Sequence, residues 1–167
     1  HAIDAEIVAN EILGSEIKKL KVEKVLVEEK LDIDKEYYIG VIVDSSREVR
    51  APVIMFSTEG GMDIESVPSE KIATVTVDVL RGFRLYDALN LALKLKVPTA
   101  HLPGVAQAIS GLFKTFKEYN CRTAEINPLI ITKDGKVFAG DCRMAIDDSS
   151  VYRHPELGIE VAREAAT

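Results

Sequence analysis

The sequence predicts an α+β fold in which a mainly antiparallel sheet carries helices packed on it. Two strand-like pairs joined by short polar turns point to this: residues 37–43 with 51–56 around Asp44-Ser45-Ser46-Arg47, and residues 125–132 with 136–141 across Lys133-Asp134-Gly135. A third observation is the spacing of Val105, Ile109, Leu112, Phe113 and Phe116, which fall on one face of a helix. Hairpins with helices laid over them, in mixed order, describe the α+β class.

Taken in order, Ile7, Val8, Ile12 and Leu13 recur at helical spacing, with Asp4 as the expected N-cap and Gly14 as the stop. A lysine-rich link leads to a strand expected at Val25-Leu26-Val27, and residues 32–35 read as a polar connection. The hairpin of 37–43 and 51–56 follows. Residues 72–80 alternate Thr74, Thr76 and Asp78 against Val75, Val77 and Val79, the period of a strand. Leu85, Leu89, Ala92 and Leu93 define a helix ending before Pro98. The helix of Val105 to Phe116 is expected to stop at Asn120. No repeat or low-complexity tract interrupts this order.

Composition narrows the function classes. Apolar residues make up 47% of the 167, enough for a folded core. Net charge is −6 and the basic residues are scattered rather than striped among aromatics, which argues against nucleic acid as a partner. No apolar run is long enough to span a membrane, so a membrane role is not expected, and the expected location is the cytoplasm, with the mitochondrial matrix as the alternative. The chain begins with His1 rather than Met, as an excised segment or a tag remnant would, so the lack of a targeting signal says little. Cys121 and Cys142 fit free thiols in a reducing compartment, and no Cys/His spacing suggests zinc. His101 and His154 stand beside loop prolines with no candidate nucleophile near them in sequence, and read as structural.

The segment Glu125-Ile126-Asn127-Pro128-Leu129-Ile130-Ile131-Thr132-Lys133-Asp134-Gly135 carries the most chemistry. A three-residue loop with Gly135 left-handed pairs Thr132 with Lys136 and, counting outward, sets Asn127 opposite Asp141. Alternation puts Glu125 on the face of Asn127. A carboxylate, an amide oxygen and a second carboxylate in one patch suit a hard cation such as Mg²⁺, which takes few protein oxygens beside water and phosphate. The same residues are also ordinary turn formers. Against that, Asn127 interrupts an apolar run, where a polar side chain needs a partner. Upstream, Glu28-Glu29 and Glu36 suit a nucleotide, a carboxylate accepting from ribose hydroxyls, or form a solvated acidic turn. Gly60-Gly61 suits either a phosphate contact or a tight turn.

Together, Leu26-Val27-Glu28-Glu29, the run from Asp32 to Gly40, Ser57-Thr58-Glu59-Gly60-Gly61-Met62-Asp63-Ile64-Glu65 and the segment from Glu125 to Gly135 stand in the order and spacing of one family. From about the first helix to Pro155 the chain resembles the β subunit of succinyl-CoA synthetase, an ATP-grasp ligase. The resemblance implies that residues 1–30 end the smaller ATP-grasp subdomain, that 31–155 form the larger one carrying the nucleotide and Mg²⁺ sites, and that 156–167 begin a linker to a CoA-ligase domain. It assigns Glu28 to the hinge beside the base, Leu31 to a backbone contact with the nucleotide, Glu36 to the ribose, and Asn127 and Asp141 to Mg²⁺. Glu125 matches a glutamate near which the phosphohistidine of the partner subunit docks. The implied activity joins succinate and CoA with ATP or GTP, through phosphohistidine on an α subunit that also holds CoA, within the tricarboxylic acid cycle. A related malate-CoA ligase subunit, and a non-catalytic binding or assembly module keeping an unused ATP-grasp surface, are the alternatives. The family's lysine and glycine-rich phosphate loop lie upstream of this segment, so the segment alone is expected to hold Mg-ATP weakly and to be inactive. Departures from the family are Asp141-Cys142-Arg143 in place of Asp-x-Lys, Ser149-Ser150 in place of Asn-Ala, and a short loop between Gly14 and Val25.

Overall fold

A computed structural model describes residues 2–17, 19–46 and 48–159. His1, Arg47 of the first hairpin tip and residues 160–167 of the expected linker lie outside the described residues. The chain divides into two units, residues 1–31 and 32–167, each taken by itself below.

In the first unit α1 (Ala2–Ile12) is followed by a two-residue antiparallel pair, β1 (Glu16–Ile17) with β2 (Leu20–Lys21). Gly14 ends the helix as expected, with φ +79°, and the Ser15 hydroxyl donates to the Ile12 carbonyl at 2.6 Å. Asp4 is not the N-cap: the helix already runs from Ala2, so Asp4 sits in its first turn, where a carboxylate favours the positive end of the helix dipole. The strand expected at Val25-Leu26-Val27 does not form either. Residues 22–32 carry no ladder, and Leu26 is 80% exposed, since β-prone side chains alone do not make a strand without a neighbour to bond.

The second unit is the α+β body. Strands β3 (Ile33–Asp44), β4 (Ala51–Ser57), β5 (Ile72–Thr76), β6 (Cys121–Thr132), β7 (Val137–Ala139) and β8 (Cys142–Ile146) make one antiparallel sheet in the order β5-β4-β3-β6-β7, with β8 continuing beyond β7 along β6. β3 begins at Ile33, earlier than predicted, because Ile33 and Lys35 pair with Thr132 and Ile131 of β6 and draw the expected polar connection into the sheet. β5 ends at Thr76, earlier than predicted. Asp78 Oδ1 accepts from the amides of Leu80 and Arg81 at 2.8 and 3.2 Å and turns the chain away.

Helices α2 (Leu85–Lys94) and α3 (Leu102–Glu118) cover one face of the sheet. All five predicted apolar positions of α3 are buried, and each large side chain so placed contributes about 1.5–3 kcal/mol. The helix stops where expected: Tyr119 caps it and Asn120 turns left-handed at φ +51°. α2 is rotated from its predicted face. Ala88, Leu91 and Ala92 are buried while Leu85 and Leu93 stay about half exposed, because the small alanines let the helix sit close. The inward set from the sheet is Tyr37, Ile39 and Val41, Ile54 and Phe56, and Ala124, Ile126, Leu129 and Ile131. That leaves the opposite face, carrying Tyr38, Glu125 and Asn127, to hold the site.

Candidate functional site

The predicted hairpin register holds throughout. Thr132 N–H donates to the Lys136 carbonyl at 3.0 Å, Gly135 adopts φ +80°, and Leu129, Ile130 and Ile131 pair with Ala139, Phe138 and Val137. Asn127 N–H donates to the Asp141 carbonyl at 3.2 Å, placing the two residues opposite each other, and the same count continues into β8 as Ile126 with Cys142 and Glu125 with Arg143. The predicted second strand is shortened to β7, ending before Gly140 and Asp141, and β8 begins beyond it as a strand the sequence reading did not include. A methyl group on Gly140 would meet the tip of the Ile130 side chain, Cδ1, at 2.7 Å and the Pro128 carbonyl oxygen at 3.1 Å, so the chain passes close to β6 there.

The turn itself is tied by Asp134, which accepts from the Thr132 hydroxyl and lies 2.7 Å from Lys136 Nζ. Lys136 foremost, then Thr132, holds its carboxyl down at about 2, against an ordinary value of 3.8. A depressed folded pKa gives stability that is present above 3.8 and lost as pH falls towards about 2. A carbon-detected NMR titration of the side chain is expected to find the midpoint near 2, and the share of any stability change over that window that Asp134→Asn removes is expected to be slight, since the group is fully exposed.

Asn127 meets the need for a partner that its place in an apolar run implies. Its Oδ1 accepts from Gly61 N–H at 2.8 Å and its Nδ2 donates to the Met62 carbonyl at 2.9 Å. This amide therefore clamps the loop after β4 onto β6. The two glycines of that loop are fixed by crowding. A methyl on Gly60 would lie 2.4 Å from the Tyr37 carbonyl oxygen, and Gly61 has φ +71° with Glu36 Oε2 3.0 Å from where its Cβ would be. Gly60 N–H donates to the Glu36 carbonyl at 3.0 Å. Both glycine amides are thus engaged within the fold, which favours the tight-turn reading of Gly60-Gly61 over direct phosphate contact. The loop brings Glu36 and Asn127 together, residues 91 positions apart by their numbers (127 − 36).

Glu125 faces the same side, where its Oε2 accepts from the Tyr38 hydroxyl at 3.4 Å. Partial burial of the sulfur first, and then the charges of Asp141 and Glu125, push the Cys142 thiol up. Tyr38 was not singled out from sequence. Its signal was Gly40 two residues on, since a glycine inside a strand marks a close approach. Glu28 is exposed and Leu31 half-buried; both belong to the first unit. His154 has the expected structural place, Nε2 lying 2.9 Å from Asn120 Oδ1 and the ring packed on Tyr119. Cys121 and Cys142 are free, the first buried and the second exposed.

The donor set fits a divalent cation of the Mg²⁺ type. The Asp141 side chain is exposed and makes no hydrogen bond among the described residues, and Asn127 Oδ1 accepts one bond, which leaves a lone pair. Among the described residues no three His, Cys, Asp or Glu side chains gather to hold a metal unaided. One or two protein oxygens completed by water and phosphate are what Mg²⁺ ordinarily takes. No helix among the described residues is long and apolar enough to cross a membrane.

Known proteins are similar to this sequence over most of its length. The chain is 46% identical over 149 residues to the succinate-CoA ligase [ADP-forming] subunit beta of Methanocaldococcus jannaschii, covering 87% of this chain and 40% of that one. It is 41% identical over 153 residues to the same subunit of Methanothermobacter thermautotrophicus (90% and 41%), and 42% identical over 159 residues to that of Burkholderia thailandensis (89% and 40%). The chain thus spans about 40% of the length of these relatives. Among solved structures, ATP citrate lyase from Methanothrix soehngenii, in complex with citrate and coenzyme A, superposes with a TM-score of 0.62 at 20% identity over 97% of this chain and 37% of that one, a likeness of fold. The ATP-grasp domain family matches residues 2–131, and with that span and the α+β sheet in place, this chain belongs to the ATP-grasp domain family.

Proposed function

We propose that the chain is the part of an acyl-CoA synthetase β subunit that holds the nucleotide and its metal, in an enzyme joining succinate and CoA at the expense of ATP or GTP. The observation that supports this reading is that Glu36, Glu125 and Asn127 lie on the sheet face opposite the helices, with Asp141 directly opposite Asn127 in the hairpin and the Gly60-Gly61 loop tying Glu36 to Asn127. The relatives at 41–46% identity bear the name of such a subunit, which supports the same reading.

In it, Asp141 and Asn127 would hold Mg²⁺, which when bound neutralises phosphate charge during phosphoryl transfer. Glu36 accepts from ribose hydroxyls, while Glu28 and the Leu31 backbone serve the base. Glu125, half-buried on this face, would meet the phosphohistidine of an α subunit that also carries the CoA site. Residues 1–30 and 31–155 are then the two ATP-grasp subdomains, and 156–167 the start of the linker. We place the enzyme in the cytoplasm and in the tricarboxylic acid cycle.

The test is acyl-CoA formation by the full reading frame co-expressed with its α subunit, assayed with ATP and GTP and with succinate and malate. Succinate-dependent release of phosphate and CoA thioester is expected. Malate turnover in its place would move the assignment to the related ligase, and failure to form any thioester or to bind Mg-ATP would overturn the enzyme reading in favour of an assembly module.

A further inference from the structure

We propose that Tyr38 is a positioning residue for Glu125, steering its carboxylate on the face that bears Asn127 and Asp141. The proposal rests on the role given to Glu125 above and adds a residue that role does not include. Tyr38 is 3% exposed yet stands outside the core cluster that takes its neighbours Tyr37 and Ile39, so its ring lies on the far side of the sheet. A buried tyrosine hydroxyl needs a partner. Among the described residues its partner is Glu125 Oε2, at 3.4 Å.

The backbone is arranged to bring this about. β3 and β6 are in register at Tyr37 with Leu129 and again at Ile39 with Ile126, so Tyr38 alone opposes the two residues Asn127 and Pro128. Such a bulge re-aims a side chain. Gly40 then clears its path. It pairs directly with Glu125, and a methyl there would lie 2.3 Å from Tyr38 Oη and 2.9 Å from Cζ. The ring therefore runs along β3, across Gly40, to the carboxylate on the next strand. Burial raises the phenol pKa, and the charge of Glu125 and the bond to it raise it further, so the hydroxyl remains a donor wherever the carboxylate is charged. At 3.4 Å the bond is longer than an ordinary hydroxyl–carboxylate bond, so it biases the direction of the carboxylate without locking it.

The test is a double-mutant cycle in the full protein with its α subunit. Tyr38→Phe keeps the ring and is expected to lower kcat about tenfold, with KM for Mg-ATP within about twofold. In a Glu125→Ala background the same change is expected to alter kcat by less than about twofold, because the group it acts on is gone. Gly40→Ala, which displaces the hydroxyl, is expected to copy Tyr38→Phe and not to add to it. A second readout needs no turnover: with tyrosine labelled at Cζ, the Tyr38 resonance, identified by its loss in Tyr38→Phe, is expected to shift at neutral pH in Glu125→Ala, because the hydroxyl loses its acceptor. Additive kinetics, or a Tyr38 resonance unmoved by Glu125→Ala, would overturn the proposal. A protein with no thioester-forming activity would fail the functional reading instead, and the Tyr38 resonance alone would then decide whether Tyr38 holds Glu125.

Discussion

Gly60→Ala is expected to be the most damaging single-methyl change in the second unit. The added carbon would sit 2.4 Å from the carbonyl oxygen of Tyr37, 2.5 Å from its carbonyl carbon and 2.7 Å from its nitrogen. These are backbone atoms of β3, a strand paired on one side to β4 and on the other to β6, so they have no soft direction in which to yield. The loop must move instead. That breaks the Gly60 amide bond to the Glu36 carbonyl and, one residue on, both bonds that Asn127 makes to Gly61 and Met62. Overpacking costs about 1–3 kcal/mol and each of the three lost bonds about 1 kcal/mol, for a total of roughly 4–6 kcal/mol. At about 2–4 °C per kcal/mol for a domain of this size, the melting temperature is expected to fall by roughly 10–20 °C. Gly111→Ala is the control. Nothing lies within 4 Å of its Cβ position and it stands inside α3, so helix propensity predicts a gain of up to about 1 kcal/mol. Equal melting of Gly60→Ala and the unsubstituted chain, followed by circular dichroism, would show that the loop has room that these distances deny.

What was legible in the sequence is what local rules determine. The register from Asn127 to Asp141 follows from one turn, because a Gly at the left-handed position of a three-residue loop fixes every pair outward from it, and that count survives the break between β7 and β8. α3 was legible for the same reason: its apolar spacing alone specifies the face it buries. The failures lie where a distant partner decides. Val25-Leu26-Val27 has the composition of a strand and no ladder to join, while Ile33 and Lys35, polar in context, are taken up by β6 from nearly 100 residues away in sequence. The mutual fixing of Glu36, Gly61 and Asn127 was equally hidden, since no rule of spacing relates a loop after β4 to a side chain on β6. Sequence showed that Asn127 needed a partner. Only the fold shows that the partner is a loop amide, which gives this residue a structural duty beside any toward metal.

That double duty makes Asn127 and Asp141 separable by experiment. Asp141→Ala removes an exposed carboxylate that makes no hydrogen bond among the described residues, so its stability is expected to stay within about 0.5 kcal/mol of the unsubstituted protein's. If its oxygen binds the cation, Mg-ATP affinity in the full protein falls by about 100-fold or more, since even residues that only orient a metal ligand are worth 10–100-fold. Asn127→Ala is expected to lose both affinity and about 1–2 kcal/mol of stability, because Gly61 N–H and the Met62 carbonyl lose their partner and the loop is released from β6. Asn127→Asp splits these effects. It keeps an oxygen for Gly61 N–H and for the cation, but sets a carboxylate oxygen against the Met62 carbonyl where the amide nitrogen donated. Affinity for Mg-ATP should therefore recover toward the unsubstituted value while stability does not. Calorimetry and thermal melts on the three variants decide the matter: affinity untouched by Asp141→Ala removes the cation from this hairpin, and affinity that tracks stability through all three leaves Asn127 as a loop clamp and nothing more.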